Sequence, residues 1–265
     1  MGYEVVEGKH ARGEHGRFSG TEDERVADLN EALADMSTDF VLCTRGGYGL
    51  AQIVDRIEVP ASKTPTVIGF SDITALHNLM GHHGKASIHG VMCKHISEYD
   101  SHRESVDALL HMMAFQPTEY RLPAHPLNRE GETTGTLRGG NLCVLYGLQD
   151  TPYNCPIAPG DILFIEDVGE HPYAIDRMMQ NLRLSGVLAK LGGLVVGQFS
   201  DYEEDPRMPY TVYEGIRRMV EPYDYPCLFD FPAGHVERNL PLIINATCHL
   251  RVNKEGATLA QQLPQ

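Results

Sequence analysis

Thr66-Val67-Ile68-Gly69-Phe70-Ser71-Asp72-Ile73-Thr74-Ala75-Leu76-His77-Asn78-Leu79-Met80 sets an apolar run, a polar pair and a second apolar-rich run in immediate succession. The β-branched start predicts a buried strand over Thr66 to Phe70. Ser71-Asp72 is then a tight turn, and Ile73 to Met80 a helix. A serine at that turn has its hydroxyl pushed out of the sheet. The unpaired N–H groups of the following helix point at whatever it attacks. This is the logic of a nucleophile elbow, although the Gly-x-Ser-x-Gly form is absent because position 73 is Ile. Serine is also a preferred helix N-cap, so the turn by itself admits both readings.

The same grammar appears just upstream. Phe40-Val41-Leu42-Cys43-Thr44 reads as a strand that ends in Arg45-Gly46-Gly47-Tyr48-Gly49, and a helical pattern follows from Leu50 to Ile57. Further back, Thr21 to Ala34 reads as a helix with a capping box (Thr21 and Glu24), acids in its first turn, and Val26, Leu29 and Leu33 at helical spacing. Strand, short turn, helix, strand is the signature of a parallel sheet covered by helices. The glycines after Arg45 let backbone N–H groups converge on an anion, and the guanidinium suits a carboxylate. The loop is neither a dinucleotide fingerprint, because position 52 is Gln, nor a P-loop, because no Gly-Lys-Ser/Thr follows. The first element, Tyr3 to Glu7, reads as an extended piece leading into polar loop. A doubly wound domain normally opens with a strand and helix, so either the fold starts late or a βα unit of roughly 30 residues is missing upstream.

Downstream, Pro117, Pro123, Pro126, Gly131, Gly135, Gly139 and Gly140 break the pattern. Residues 117–140 therefore read as a crossover between a Rossmann-like domain over 1–116 and a second domain over 141–265. In the latter, Asp161 to Ile165, Leu194 to Gly197 and Leu242 to Asn245 are apolar strands, Tyr173 to Leu191 is a long helix, and His249 to Asn253 alternates as a half-exposed strand does. The fold class is α/β, with a mixed second domain.

Composition excludes several functions. The chain has 265 residues and a net charge of −14, which repels phosphate backbones, so no nucleic-acid partner is expected. No apolar run approaches the roughly 20 residues of a membrane span. The start lacks the basic and apolar regions of a signal peptide, and Val6 spoils a myristoylation pattern. The 6 cysteines form no CxxC and read as reduced thiols of a cytoplasmic protein.

A serine nucleophile needs a base and a group that orients it. Glu166, Asp167 and Glu170 stand at the end of one strand as carboxylate candidates. Among 13 histidines, His235 follows a strand and a loop ending in Gly234, where open α/β sheets gather their ligands. His95-Ile96-Ser97-Glu98 has zinc-like spacing and Asp201 to Asp205 is acidic, but the first lacks a third ligand and the second lacks an EF-hand pattern. Neither a metal nor another cofactor is expected.

Taken in order, Arg45 to Gly49, Ile68 to Thr74, Gly139-Gly140-Asn141-Leu142, Phe164 to Glu170 with Tyr173 to Arg177, and Gly234-His235 resemble the LD-carboxypeptidase (muramoyltetrapeptide carboxypeptidase) family of serine peptidases. The blocks run in family order over most of the chain. The resemblance implies a Rossmann-like N-terminal domain, a β-rich swivelling C-terminal domain and a cleft between them. It implies a triad of Ser71, His235 and Glu166, release of terminal D-alanine from murein tetrapeptide in cytoplasmic peptidoglycan recycling, and a homodimer. Two other occupations of the same fold stay open: a self-immunity peptidase that cuts a peptide–nucleotide antibiotic such as processed microcin C, and a silent muropeptide-binding protein. On the triad reading, the Asp72 N–H and that of Gly46 or Gly47 form the oxyanion hole, and Arg45, Tyr48 and Asn141 meet the substrate.

Overall fold

The computed structural model describes residues 2–264. Its first helix, α1 (Glu22–Ala34), starts where Thr21 and Glu24 close a reciprocal capping box, and it buries Val26 and Leu33. The strands β1 (Phe40–Leu42), β2 (Thr66–Gly69) and β3 (Ser87–His89) follow, with α2 (Thr74–His82) between β2 and β3. Then come α3 (Cys93–Ser97) and α4 (Tyr99–Met113). β1, β2 and β3 are parallel, with Leu42 opposite Ile68 and Gly69 opposite His89. Val67, Phe70, Leu76 and Met80 pack with Val26 and Leu33 on one face of this sheet, while Ile68 and Ile88 meet Val106, Leu109 and Met112 of α4 on the other. Helices on both faces of a short parallel sheet make the Rossmann-like arrangement expected from the sequence.

A larger sheet follows. It contains β4 (Thr118–Pro123), β5 (Gly131–Asn141), β6 (Ile162–Val168), β7 (Gly193–Ser200), β8 (Cys227–Leu228), β10 (Thr247–Asn253) and β11 (Gly256–Gln261) in the order β4-β11-β10-β5-β6-β7-β8. The intervening strand β9 (Leu242–Ile244) joins the first sheet instead, antiparallel to β3. Helices α5 (Leu142–Gly147), α6 (Pro172–Leu184) and α7 (Val212–Met219) cover one face of the β5–β8 half. The other face packs Leu137, Phe164 and Val195 against Leu250 and Leu259 of the antiparallel half.

Several expectations need correction. The stretch 117–140 is no free crossover: it carries β4 and most of β5. Its prolines and glycines misled because β4 is an edge strand, where Pro123 is tolerated, and because β5 changes partner, antiparallel to β10 at first and parallel to β6 afterwards. The return of β9 to the first sheet likewise breaks the single cut expected at residue 141. Leu50 to Ile57 forms two short 3₁₀ turns rather than an α-helix, interrupted at Ile53 (φ −130°, ψ −6°), which still buries Ile53, Val54 and Ile57. The helix expected to reach Leu191 ends at Leu184, and Tyr3 to Glu7 joins neither sheet.

Candidate active site

Ser71 sits at the C-terminal end of β2 with φ 68°, a left-handed conformation that costs a non-glycine residue energy and recurs at nucleophile turns. It opens a 3₁₀ turn (Ser71–Ile73) that runs into α2. The N–H groups of such a first turn have no partner within the helix, which frees the Asp72 N–H for an incoming anion. Gly46 lies against this turn. A Cβ there would stand 2.8 Å from Ser71 Cβ and 3.2 Å from its Oγ, so only glycine lets the Arg45–Gly49 loop approach so closely.

The loop is held in place. Asp72 Oδ2 accepts the Leu50 N–H at 2.9 Å, and Arg25 donates to Gly49 O at 3.0 Å and to Gln52 Oε1 at 2.9 Å. Burial pushes the Asp72 carboxyl above its usual range, while the N–H groups of Leu50 and Gly49 and the charge of Arg25 oppose that rise. Gly47 stands in the same loop with φ 93°. Arg45 is exposed and has no ion-pair partner among the described residues. Tyr48 is exposed too, with its ring 6.2 Å from that of Phe18.

Glu166 comes from β6. The register between β6 and β7 slips between Ile165 and Asp167, an irregularity of the kind that re-aims side chains beside active sites. The glutamate is wholly buried, and its Oε2 lies 2.8 Å from His235 Nδ1. An ionised carboxylate only accepts, so Nδ1 carries the proton and Nε2 is left as the basic nitrogen. Burial pulls the His235 pKa down, but the Glu166 hydrogen bond and charge, with Asp167 and Asp201 adding, outweigh it and leave the imidazole above its ordinary value. The His235 ring packs 4.9 Å from that of Phe70, the residue before Ser71. The imidazole is thus bonded to the carboxylate of β6 and packed against the ring of the residue preceding Ser71, although β2, the loop after β8 and β6 supply these groups.

A short chain of bonds fixes the turn relative to the carboxylate. Thr74 Oγ1, one helical turn beyond Ser71, accepts the Asn141 N–H at 2.9 Å, and Asn141 is the register partner of Glu166 across β5 and β6. Asn141 itself, expected to meet the substrate, is buried and spends its side chain internally. Its Oδ1 caps α5 at Val144 N–H (3.1 Å) and its Nδ2 donates to Asp167 Oδ1 (2.9 Å). A capping asparagine at the end of a strand is a positional signal that the bare Gly-Gly-Asn block hid. Asp167 also accepts the Cys143 and Val168 N–H groups; burial pushes its carboxyl up to about 6, with the neighbouring Glu166 charge adding against these bonds. Glu170 lies partly exposed beyond β6. The remaining acidic and histidine motifs are occupied locally. His95 Nδ1 accepts the Met92 N–H at 3.3 Å, Glu98 stands 3.8 Å from His102, and Asp205 pairs with Arg207. Among the described residues no group of three or more His, Cys, Asp or Glu side chains is placed to hold a metal ion.

The chain matches the family models of the LD-carboxypeptidase N-terminal domain over residues 1–90 and C-terminal domain over residues 134–250. The chain belongs to the LD-carboxypeptidase family. Among its LD-carboxypeptidase relatives is the probable murein peptide carboxypeptidase of Bacillus subtilis, 32% identical over 98% of this chain and 83% of the relative. Another is the murein tetrapeptide carboxypeptidase of Pseudomonas aeruginosa, 28% identical over 93% of this chain and 83% of the relative. The crystal structure of muramoyltetrapeptide carboxypeptidase from Oxalobacter formigenes superimposes with a TM-score of 0.88 at 27% identity, covering 100% of this chain and 91% of that one. The microcin C7 self-immunity protein MccF shares the LD-carboxypeptidase fold at a TM-score of 0.87 and 20% identity, covering 100% of this chain and 88% of that one.

Reading the sequence missed the residues that hold the site together. Arg25 lies in the first turn of α1 and Phe70 reads as an ordinary strand residue. Asp72 shows its second role, anchoring the Leu50 N–H, only once the loop folds back upon it.

Proposed function

We propose that this chain is a serine LD-carboxypeptidase that hydrolyses the L,D-amide bond of murein tetrapeptide and releases terminal D-alanine. The observation that carries the reading is the hydrogen bond from His235 to the buried Glu166, near the strained Ser71 turn, in a chain of this family. His235 Nε2 takes the Ser71 proton as Oγ attacks the carbonyl carbon, and Glu166 holds the imidazole and stabilises its charged form. The oxyanion falls to the Asp72 N–H and to that of Gly46 or Gly47. The intermediate collapses as His235 returns the proton to the departing amine, and water then hydrolyses the Ser71 ester by the same relay. Arg45, exposed and unpaired beside the turn, meets the terminal carboxylate, and Tyr48 lines the approach. Asn141 is moved from substrate contact to the framework.

The same reading has the enzyme act in the cytoplasm, in peptidoglycan recycling, as a homodimer. Its free cysteines suit a reducing compartment. Among the described residues no helix is long and apolar enough to cross a membrane. The test is D-alanine release from purified tetrapeptide, run beside an aminoacyl-sulfamoyl nucleoside as the competing substrate. Ser71→Ala is expected to lose turnover by at least roughly a thousandfold, the order of removing a triad nucleophile. Undiminished release by that variant sinks the assignment, and preferential cleavage of the nucleoside substrate moves the function to the self-immunity class.

A further inference from the structure

The loop carrying His235 leaves β8, returns as β9, and is held along one side by α4. His102 Nδ1 meets Glu237 O at 3.0 Å, Glu104 takes the Arg238 guanidinium at 2.6 and 2.7 Å, and Ser105 Oγ accepts the Asn239 N–H at 2.9 Å. The first two contacts are at the surface. Ser105 and Asn239 are buried, at 1% and 0% exposure. Asn239 Oδ1 in turn accepts the Gly234 N–H at 3.0 Å. Gly234 has φ 138°, and a Cβ there would stand 3.1 Å from Glu166 Oε2, so the peptide entering His235 is bent hard against the carboxylate.

We propose that Asn239 is a positioning residue for His235, its amide oxygen fixing the Gly234 peptide so that the imidazole meets Glu166. The inference rests on the triad reading above. It follows from an unbroken line of contacts: Ser105 to Asn239, Asn239 to Gly234, and the next residue, His235, to Glu166. The line begins on α4, which packs on the sheet whose β2 carries Ser71, so the imidazole is referenced to the nucleophile's own layer. Both ends of the arrangement bear a cost, because Asn239 Nδ2 and Glu166 Oε1 are buried with no partner among the described residues. Unsatisfied buried groups call for an explanation, and a functional site is one. The charged or titratable groups that face His235 are Glu166 and Asp167 on β6, Asp201 after β7, and His89 on β3.

The test compares Asn239→Leu and Ser105→Ala with the wild-type enzyme on murein tetrapeptide, with rates divided by the sites that a fluorophosphonate labels. Asn239→Leu is expected to lose kcat by roughly tenfold to a hundredfold, the effect of a small misplacement, with KM within about threefold. The acid limb of kcat/KM is expected at lower pH, because a looser Glu166 bond no longer lifts the imidazole against burial. Ser105→Ala is expected to move both readouts the same way by less. An unchanged kcat overturns the proposal, and so does a fall in kcat with an unmoved acid limb, which marks general loosening. Should Asn239→Leu fail to fold, Ser105→Ala decides by the same two readouts. Turnover retained by Ser71→Ala undoes the serine reading itself. An inactive Ser71→Ala beside wild-type behaviour in both other variants undoes only the role of Asn239.

Discussion

Glu166→Gln isolates the charge behind the imidazole while nearly preserving its shape. The carboxylate is wholly buried, and its Oε2 lies 2.8 Å from His235 Nδ1. At that contact the charge centres of an imidazolium–carboxylate pair are about 4 Å apart, which at an effective dielectric near 20 is worth about 4 kcal/mol. The imidazolium exists only after the proton leaves Ser71, so this term falls on the transition state and not on bound substrate. At about 1.4 kcal/mol per decade it predicts a loss in kcat of roughly a thousandfold. An amide that turns its NH₂ toward Nδ1 also holds the wrong tautomer, and that effect in a chymotrypsin-type triad reaches about ten-thousandfold. KM is expected to change little.

The pH profile of Glu166→Gln carries an independent sign. A catalytic base must be neutral, so activity rises with pH through the His235 pKa. Burial lowers that pKa and Glu166, with Asp167 and Asp201 adding, more than offsets it, so removing the Glu166 charge takes away the largest of the opposing effects and moves the acid limb to lower pH. The assay is initial-rate D-alanine release across the acid and neutral range, with circular dichroism to confirm a folded variant. A Glu166→Gln enzyme within about tenfold of wild type, its acid limb unmoved, would falsify the assignment of Glu166 as the orienting carboxylate.

Other perturbations probe the nucleophile turn. Ser71→Gly and Ser71→Ala are both expected to be inactive, but glycine relieves the strain at φ 68° and should be the more stable by about 1 kcal/mol in denaturant titration; equal stabilities speak against a strained turn. Gly46→Ala puts a methyl 2.8 Å from Ser71 Cβ. It is expected to lower kcat by roughly a hundredfold, since small displacements of reacting groups cost that much, and fluorophosphonate labelling should slow in parallel. Asp72→Ala frees the Leu50 N–H and should loosen the glycine loop, whereas Asp72→Asn keeps an oxygen for it and should restore most of the lost kcat; equal activities remove the anchoring role. Arg45→Gln should raise KM by roughly tenfold for a substrate ending in a free carboxylate, and by much less for its C-terminal amide.

The first sheet was legible because its elements announce themselves over short spans. Thr21 and Glu24 meet within one helical turn, Thr66 to Phe70 is too apolar to be left in water, and Ser71-Asp72 can only be a turn between such neighbours. The interval 117–140 misled for the opposite reason. Its prolines and glycines read as breaks, yet Pro123 ends an edge strand and Gly139 and Gly140 occupy a strand that changes partners. Asn141 was legible as part of a block but not as a cap, because capping depends on where the helix begins.

The sequence by itself determined which residue types stood at strand ends: a serine on a tight turn, a glutamate closing an apolar strand, and a histidine after a glycine. Local sterics and hydrophobic periodicity act over a few neighbouring residues, and those are printed in the chain. Only the tertiary structure decided that His235 meets Glu166, that Asp72 and Arg25 clamp the glycine loop, and that Asn239 reaches back to Gly234 under the hold of α4. Most of those bonds join residues far apart in sequence, and the closest pairings, such as Asn239 with Gly234, form only within a loop whose shape packing imposes. Their formation depends on which strand pairs with which, and that is settled when β9 returns to the first sheet, β5 changes partner within the second, and the apolar faces are buried together.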